Sequence, residues 1–419
     1  MSLKKAVPPQ ESTSASSLLP LQGIRVVSME HALAGPVCSR NLADLGAQVI
    51  KIERPGEGDF SRGYDQFVYG QSTYFVWLNR TKKSLGIDLK KKDAQDVMHC
   101  LMAHTDVLIQ NLAPGVSKRM HLDYETLKKI NPQIIVADIT GYGEGGPLSG
   151  KKAYDMLIQA EAGVMSINGT PETPARVGLS LVDMATGMYT QNAVLAALFR
   201  RAQTGLGAHL QIAMFDAMAE WMMYPMYRYA YNGTIVPRNA MKNPNIAPYG
   251  GHATRDGIVI FSIQNEREWQ SFCEITLGQP LLCNHKNYES NSMRIIHADA
   301  LTQLIESHFS DKSTAEVVGL LDAAGIANGR LNDAKDLWHH PQLSARDKWR
   351  EVTLPNQEKI RAVLPPVIFS DVEAQMGPVP ELGEHTESIL KELKYDEKQI
   401  NELFKSGAVS GHRIKDGDT

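Results

Sequence analysis

Cysteine is scarce in this chain, whose 419 residues include four, and none of these stands in Cys-x-x-Cys spacing. Such scattered cysteines argue against a disulfide framework and a structural zinc site, and they favour reduced thiols. No apolar run reaches the roughly 20 residues that a membrane-spanning helix needs. The net charge of -4 lacks the basic excess of a protein that binds nucleic acid or an anionic membrane. The sequence therefore indicates neither a secreted disulfide scaffold nor a membrane or nucleic-acid-binding protein.

The dinucleotide fingerprint Gly-x-Gly-x-x-Gly is missing from the first turn. Residues 23–29, GIRVVSM, have the β-branched content of a strand, and the turn that follows contains only Gly35. Pro36 suits the start of a helix that continues to Gly46, after which AQVIKIE has the pattern of a second strand. This strand-helix-strand order predicts a parallel sheet in an α/β fold, without the signature of a dehydrogenase.

The composition is that of an ordinary folded protein, with 43% hydrophobic and 21% charged residues. Because 419 residues exceed the size at which one core keeps growing, we expect two globular bodies. Residues 1–20 are rich in Ser and Pro and predict a flexible tail, whose role as a targeting segment stays open. We expect a cytoplasmic location, with a mitochondrial one as the alternative.

Charged loops follow the predicted strands. The segment ERPGEGDFSR contains Arg54 and Arg62, and a strand pattern over residues 107–115 delivers Asn111. Open α/β sheets bind ligands at the carboxyl ends of their strands, so each arginine is either a phosphate partner or a solvated loop charge. The basic run over residues 79–94 is instead typical of a solvated face.

One acidic residue, Asp183, stands between an extended pattern over residues 178–182 and a helical pattern over residues 184–201. The positive end of the helix dipole favours an ionised carboxylate there. From this pattern alone, the commoner role is a simple helix cap, because Asp is a preferred N-cap residue. The alternative is a carboxylate that is ready to act as a nucleophile.

The second half of the chain alternates between strand and helix patterns. The apolar stretch over residues 205–233 predicts a strand and one long helix, which suits a core or a dimer interface. An irregular linker precedes a strand at residues 257–264 and helices at residues 266–277, 299–307 and 314–324. A late strand at residues 363–368 and a closing helical segment at residues 387–405 complete the predicted elements.

Seven motifs follow one another along the chain, namely LQGIRVVSM with AGP, LGAQVIKIERPGEGD, QNLAPG, ITGYGEGGP, YDMLIQAEAG, LVDMATGMY and LGEHTESIL. In this order they resemble the family III CoA-transferases of the CaiB/BaiF type, which include formyl-CoA and carnitine CoA-transferases. The resemblance implies a Rossmann-like large domain whose parallel sheet is built from both chain ends, a smaller inserted α/β domain and an interlocked homodimer. It suggests a large domain over residues 21–205, a linker and helix over 206–245, a small domain over 246–330 and a return over 331–419.

The resemblance also implies a set of site residues. Asp183 matches the family nucleophile, and the residues that match the CoA site are Leu33, Ala34, Arg54, Ile87, Lys90, Asn111, Leu112, Arg119, Lys152, Tyr154 and Asp155. The four basic residues of this set suit the phosphates of CoA. Leu33 departs from the glutamine of formyl-CoA transferase. The segment PYGGH, residues 248–252, is the nearest match to a glycine loop that closes that enzyme, and its role as a lid stays open.

The implied chemistry needs CoA as a co-substrate and no metal. A carboxylate attacks an acyl-CoA thioester to give a mixed anhydride, and the CoA thiolate then converts this anhydride into an aspartyl-CoA thioester. The acceptor acid reverses both steps. Water must be excluded from the anhydride, and backbone N–H groups are suitable donors to each oxyanion.

Two alternatives stay open for this site. An acyl-CoA racemase of the same fold needs a histidine base where this chain has Tyr154, and a non-catalytic CoA-binding protein needs no Asp183. The substrates are a separate question. The segments INGTPETPARVG and NPNIAPYGG are similar to those of members that use succinate, itaconate, mesaconate or glutarate. We therefore expect exchange between succinyl-CoA and a C4 to C6 dicarboxylate, with candidate cations for the second carboxylate at Arg176, Arg228, Arg238 and His252.

Overall fold

The computed structural model describes residues 18–413. The expectations for the N-terminal tail fall mainly on residues 1–17, which lie outside this range. Among the helices of residues 18–413, none is both long enough and apolar enough to cross a lipid bilayer.

The described chain contains short strands and helices throughout. The strands are β1 (Arg25–Met29), β2 (Gln48–Glu53), β3 (Lys83–Ile87), β4 (Val107–Gln110), β5 (Ile135–Thr140), β6 (Ala208–Ala213), β7 (Tyr249–Ala253), β8 (Ile258–Ser262), β9 (Asn328–Arg330), β10 (Trp349–Thr353), β11 (Lys359–Val363) and β12 (Val409–Ser410). The helices are α1 (Ala34–Asp44), α2 (Thr73–Asn79), α3 (Lys92–Ala103), α4 (Val116–Arg119), α5 (Tyr124–Ile130), α6 (Asp155–Glu161), α7 (Val164–Ile167), α8 (Leu181–Thr204), α9 (Met214–Trp221), α10 (Met223–Asn232), α11 (Glu266–Ser271), α12 (Asn291–Ile296), α13 (Ala298–Phe309), α14 (Thr314–Ala323), α15 (Ala334–Trp338), α16 (Pro341–Ala345), α17 (Thr386–Glu392) and α18 (Glu397–Ser406).

These elements form two compact units. The first unit takes the chain up to Ala162, the segment Gly178–Trp221 and the chain from Asp347 onward. The second unit takes Gly163–Val177 and Met222–Arg346. In the second unit, β7, β8 and β9 form an antiparallel sheet, and a core that includes Phe261, Trp269 and Phe309 lies between this sheet and its helices.

The first unit is built on a seven-stranded sheet in the order β12-β3-β2-β1-β4-β5-β6. The six strands from β3 to β6 pair in parallel, and β12 joins β3 antiparallel at one edge. The predicted parallel sheet is therefore confirmed, and its strands come from both ends of the chain. Within this order, the direction of winding reverses between β1 and β4, and such a reversal opens a crevice for ligands outside the carboxyl ends of the two strands.

The first four strands, β1 to β4, are buried over almost their whole length. Val27, Ile50, Leu85 and Leu108, one from each of the first four strands, are completely buried in one core. The C-terminal helices α17 and α18 contribute to the same core, with Leu390 completely buried. The C-terminal segment is thus part of the domain that holds the sheet.

Three expectations about the elements are wrong in detail. Residues 178–182 form no strand, because α8 begins at Leu181. The long helix expected near residue 220 is broken into α9 and α10, since Pro225 has no N–H to donate to Trp221 four residues earlier. The late strand ends at Val363, two residues before a Pro-Pro pair, instead of continuing to residue 368.

Most of the segment PYGGH lies in a strand in this structure. Tyr249–Ala253 forms β7, which pairs antiparallel with β8 from Tyr249 opposite Ser262 to Ala253 opposite Ile258. The two glycines therefore belong to a hydrogen-bonded ladder of the second unit. A Cβ added at Gly250, where φ is +140°, would lie 2.8 Å from the Met241 carbonyl oxygen, so close backbone packing accounts for this glycine.

Candidate active site

The crevice between β1 and β4 is bridged by one amide side chain. Asn111, which follows β4, accepts a hydrogen bond from the backbone N–H of His31 at 3.1 Å and donates one to the His31 carbonyl at 3.1 Å. His31 belongs to the turn between β1 and α1. Asn111 thus fixes this turn at the point where the topology predicts a ligand, through a contact between residues 80 positions apart.

Helices α1 and α8 meet closely beside this turn. A Cβ on Gly187 of α8 would lie 2.7 Å from the Ala34 carbonyl oxygen and 2.7 Å from Val37 Cβ, so only glycine allows this approach. One turn earlier, Met184 packs against a cluster that contains the buried Leu33 and Val37. The close packing brings the start of α8, and with it Asp183, to the start of α1.

Asp183 lies in the first turn of α8, and another carboxylate caps that turn. Asp155 Oδ1 accepts hydrogen bonds from the backbone N–H groups of Val182 at 2.8 Å and of Asp183 at 3.4 Å. Its Oδ2 accepts from Gln159 Nε2 at 2.7 Å, and the Asp155 residue is 9% exposed. Asp155 therefore satisfies the free N–H groups that a helix start leaves, and the Asp183 carboxylate is not used as the cap.

The environment of Asp183 favours its neutral form. Burial, and next the negative charge of Asp155, raise the pKa of Asp183 to about 7 from an ordinary value of 3.8. The helix start was expected to favour the ionised carboxylate, and this expectation is wrong in its net direction. Near pH 7 the site holds comparable amounts of the acid and of a carboxylate that is unusually basic and poorly solvated.

A fully buried cluster of charges lies beneath the turn after β1. Lys51 Nζ contacts Asp59 Oδ2 at 2.8 Å and Glu30 Oε1 at 3.4 Å, and Lys82 Nζ contacts Glu30 Oε1 at 2.8 Å. Burial opposes ionisation of Asp59, but the Lys51 ammonium outweighs it and lowers the pKa of Asp59 to about 2. Asp59 Oδ1 also accepts from the Ala32 N–H at 3.2 Å, which ties the cluster to the turn.

This ion cluster was not predicted from the sequence. Lys82 belongs to the basic run that we expected on a solvated face, yet its side chain is completely buried. A run of lysines carries no local signal for such burial. The nearest signal is the acidic Glu30 in a segment that is otherwise apolar and strand-like, because a buried carboxylate requires a cationic partner.

The basic residues matched to the CoA site follow four different strands. Arg54 comes after β2, Lys90 after β3, Arg119 after β4 and Lys152 after β5. All four are exposed, and Arg54 forms an exposed ion pair with Glu57 at 3.1 Å. Because the carboxyl ends of parallel strands share one edge of a sheet, the segments that carry these cations leave the sheet at the same edge as the β1–β4 crevice.

The other matched residues differ in exposure. Leu33 and Ala34 are buried at the start of α1, and Ile87 is a core residue of β3 opposite Val409. Leu112 is partly buried against the core, whereas Tyr154 is 61% exposed. A ligand can therefore contact the Tyr154 side chain. At Ile87, whose side chain is buried, a ligand could contact only the backbone and the start of the following loop.

A row of aromatic rings near Asp183 was also missed from the sequence. His31 stacks on Phe60 with ring centroids 5.3 Å apart, Phe60 contacts Tyr64 at 5.8 Å, and Tyr64 contacts Tyr74 edge-on at 5.5 Å. Burial first, and then the charges of Asp59 and Asp183, raise the pKa of the Tyr64 phenol. The row thus provides an apolar surface whose Tyr64 lies within the electrostatic range of Asp183.

Within residues 18–413, no group of three or more His, Cys, Asp and Glu side chains is arranged to hold a metal ion.

Comparisons with known proteins agree with this geometry. Residues 21–386 match the family model of CoA-transferase family III. The chain is similar to succinyl-CoA:glutarate CoA-transferase of Mus musculus, with 34% identity over 407 residues that cover 96% of this chain and 93% of the relative. The corresponding Homo sapiens protein is 33% identical over 402 residues, which cover 95% of this chain and 91% of the relative.

Solved structures give the same answer. A CaiB/BaiF family protein from Brucella suis superposes with a TM-score of 0.81 and 33% identity, covering 90% of this chain and all of that one. The family match spans most of the chain, and the matches to the two relatives and to the structural neighbour cover nearly the whole length of those proteins. The chain is therefore a member of CoA-transferase family III and a CoA-transferase with CoA as co-substrate.

Proposed function

We propose that this CoA-transferase moves CoA between succinyl-CoA and a short dicarboxylic acid, with Asp183 as the nucleophile. The observation that carries the role of Asp183 is the capping of α8 by Asp155, which leaves the Asp183 carboxylate without a structural hydrogen bond within residues 18–413. The substrate class is supported by the relatives of mouse and man, which are named for succinyl-CoA and glutarate. Glutarate, itaconate and mesaconate all belong to the proposed acceptor class.

The reaction proceeds through two covalent states of Asp183. A carboxylate oxygen attacks the thioester carbon of the donor, the carbon–sulfur bond breaks, and CoA leaves as a thiolate from a mixed anhydride. The thiolate then attacks the Asp183 carbonyl carbon, which releases the donor acid as a carboxylate and leaves an aspartyl-CoA thioester. The acceptor carboxylate reverses both steps, so that Asp183 is regenerated.

The raised pKa of Asp183 serves this chemistry. Burial and the Asp155 charge both disfavour the free anion, and formation of the anhydride or the thioester removes that anion. The same environment therefore makes the carboxylate more nucleophilic and stabilises the covalent states relative to the ionised enzyme. The aromatic row around Tyr64 is the surface that we assign to the exclusion of water from the anhydride.

CoA is proposed to lie along the edge of the sheet, with its phosphates on the exposed cations Arg54, Lys90, Arg119 and Lys152. Guanidinium and ammonium groups are effective partners for phosphate oxygens. Leu33, Ala34 and Asn111 belong to the crevice where the thioester end is proposed to lie. Asp155 and Tyr154 adjoin the same position from the start of α6.

An interlocked homodimer is part of this proposal. Helix α10 has no buried residue, and its exposed side chains include Tyr224 at 53%, Tyr229 at 64% and Tyr231 at 86% exposure. Apolar and aromatic surface of this extent suits a subunit interface. Size-exclusion chromatography with light scattering is expected to give twice the mass of the chain, and a monomeric mass would contradict the dimer.

The function is tested by trapping the enzyme with hydroxylamine during incubation with succinyl-CoA. A hydroxamate on Asp183, identified by peptide mass spectrometry, is expected in the parent protein and not in Asp183→Asn, whose transfer rate should fall at least about 1,000-fold. A panel of succinate, glutarate, itaconate, mesaconate and monocarboxylic acids then identifies the acceptor. A racemase or a simple CoA-binding protein would give no adduct, and transfer to monocarboxylic acids alone would refute the dicarboxylate class.

A further inference from the structure

A small cavity lies within the second unit. Its volume is about 110 Å³, and it is formed by the loop that precedes β7, by β7 itself and by the neighbouring α12 and α13. We call it the β7 pocket. Since one water molecule needs about 10 to 15 Å³ of such a cavity, the pocket has room for roughly eight to ten non-hydrogen atoms, which is the size of a short-chain acid.

In the described part of the chain, the one charged side chain in the lining of the β7 pocket is a cation. Its lining includes Lys242 and contains no Asp or Glu. Lys242 Nζ contacts Asp299 Oδ1 at 3.0 Å, but the Asp299 side chain is 93% exposed and lies outside the lining. Such an exposed ion pair is weak, so an anion inside the pocket can compete with Asp299 for the ammonium group.

A buried imidazole in the lining has an unused nitrogen. His252 is 4% exposed, and its Nδ1 is buried without a hydrogen-bond partner within residues 18–413. The ring stacks on Phe261 with centroids 4.7 Å apart. Burial lowers the pKa of His252 to about 4, so the ring is neutral at pH 7. A buried polar atom without a partner is costly, and a ligand that accepts its N–H removes the cost.

The neutral state of His252 changes one expectation. Of the four cations considered for a second carboxylate, His252 is wrong as a cation, although it remains a hydrogen-bond donor. Arg238 donates to the backbone carbonyls of Thr170 at 2.9 Å and Pro171 at 2.7 Å, so its guanidinium already has a structural role. Lys242, which was not among the candidates, supplies the charge of the pocket.

The remaining lining suits the hydrocarbon part of a short acid. Ile246, Ala298 and Leu301 contribute apolar surface, and Asn239 and Asn243 contribute amides that donate to a carboxylate oxygen. Few, well-placed polar groups on a mostly apolar lining are the usual design of a small-molecule site.

We infer that the β7 pocket is a binding site for a short-chain dicarboxylate, with one carboxylate held by Lys242 and His252 and the chain against Leu301. The lining argues for a small anionic ligand with a short apolar chain. The choice of a dicarboxylate rests on the proposed function, and the experiment separates the two.

Glutarate binding is measured by isothermal titration calorimetry on the full chain, without any CoA compound. The parent protein is expected to bind glutarate, and Lys242→Gln is expected to bind it at least 10-fold more weakly because a charge-assisted hydrogen bond is lost. Ala298→Leu, which fills the pocket without changing charge, is expected to have the same effect. Lys286→Gln is the matched control, since this exposed lysine of the same unit lies outside the lining.

Binding that is equal in the parent protein, Lys242→Gln and Ala298→Leu would overturn the assignment, as would absence of glutarate binding to the parent. Asp183→Asn is expected to bind glutarate normally, since Asp183 is not part of this lining. A failure of hydroxylamine trapping with normal glutarate binding would refute only the proposed reaction, whereas trapping without glutarate binding would refute only the pocket.

Discussion

The substitution Asp155→Asn separates the two effects of Asp155 on Asp183, the proposed nucleophile. Asparagine keeps an oxygen that accepts from the N–H groups of Val182 and Asp183, so α8 should begin at the same residue. It removes the negative charge that raises the pKa of Asp183. The variant is therefore expected to retain its fold and to ionise Asp183 at lower pH.

The size of this change follows from the structure. Asp155 Oδ1 lies 3.4 Å from Asp183 N. A shift of one pKa unit corresponds to about 1.4 kcal/mol of repulsion between the two carboxylates. The rise of the Asp183 pKa from 3.8 to about 7 has burial as its larger cause, so Asp155 accounts for less than half. We expect Asp155→Asn to lower the pKa by about 1.

The assay is the pH dependence of kcat/KM for succinyl-CoA, which reports ionisation in the free enzyme. Because the carboxylate is the proposed nucleophile, the rate should rise with pH, with a midpoint of about 7 in the parent protein and of about 6 in Asp155→Asn. Glu161→Gln is the control, since it removes a charge from the same helix, where Glu161 pairs with Lys151 at the surface. A folded Asp155→Asn protein with an unchanged midpoint would refute the electrostatic reasoning.

Three further substitutions test the packing and charge arguments by urea unfolding. The folded-state pKa of Asp183 is raised, so the free energy of unfolding of the parent protein falls as the pH increases from about 4 to 7. Relative to the parent, Asp183→Asn should therefore gain about 1 to 2 kcal/mol of stability between pH 5 and pH 8, a range that allows for the partial exposure of Asp183. An equal difference in stability at the two pH values would contradict the raised pKa. Gly187→Ala should destabilise the protein by about 1 to 3 kcal/mol because the new Cβ meets α1. The control is Gly319→Ala in α14, where an added Cβ has nothing within 4 Å and should stabilise the protein by about 0.5 to 1 kcal/mol. Equal effects at the two glycines would refute the close approach of α1 and α8. Glu30→Ala leaves the buried Lys82 ammonium without a carboxylate partner, although Lys51 keeps Asp59, and should cost about 3 to 5 kcal/mol. Lys151→Ala breaks an exposed pair and should cost less than about 1 kcal/mol. A small loss for Glu30→Ala would contradict the buried ion cluster.

The local sequence pattern determined the architecture of the sheet. The strand-helix-strand order over the first 53 residues predicted parallel pairing, and β1 and β2 form where the β-branched runs stand. A run of β-branched residues favours a strand whatever the rest of the chain does, so the positions of β1 and β2 could be predicted from the local sequence. The seven motifs together likewise identified the family, because their order along the chain is itself a property of the sequence.

The tertiary structure decided which groups meet and which charges are buried. Asp155 caps α8 across 28 positions, which moves the helix start to Leu181 and frees Asp183 from the capping role. Desolvation and the neighbouring charge, which exist only after folding, reverse the direction in which a helix start alone would move the pKa of Asp183. Lys82 is buried rather than solvated for the same reason, since its partner Glu30 lies 52 positions away in the chain and becomes adjacent only in the folded sheet.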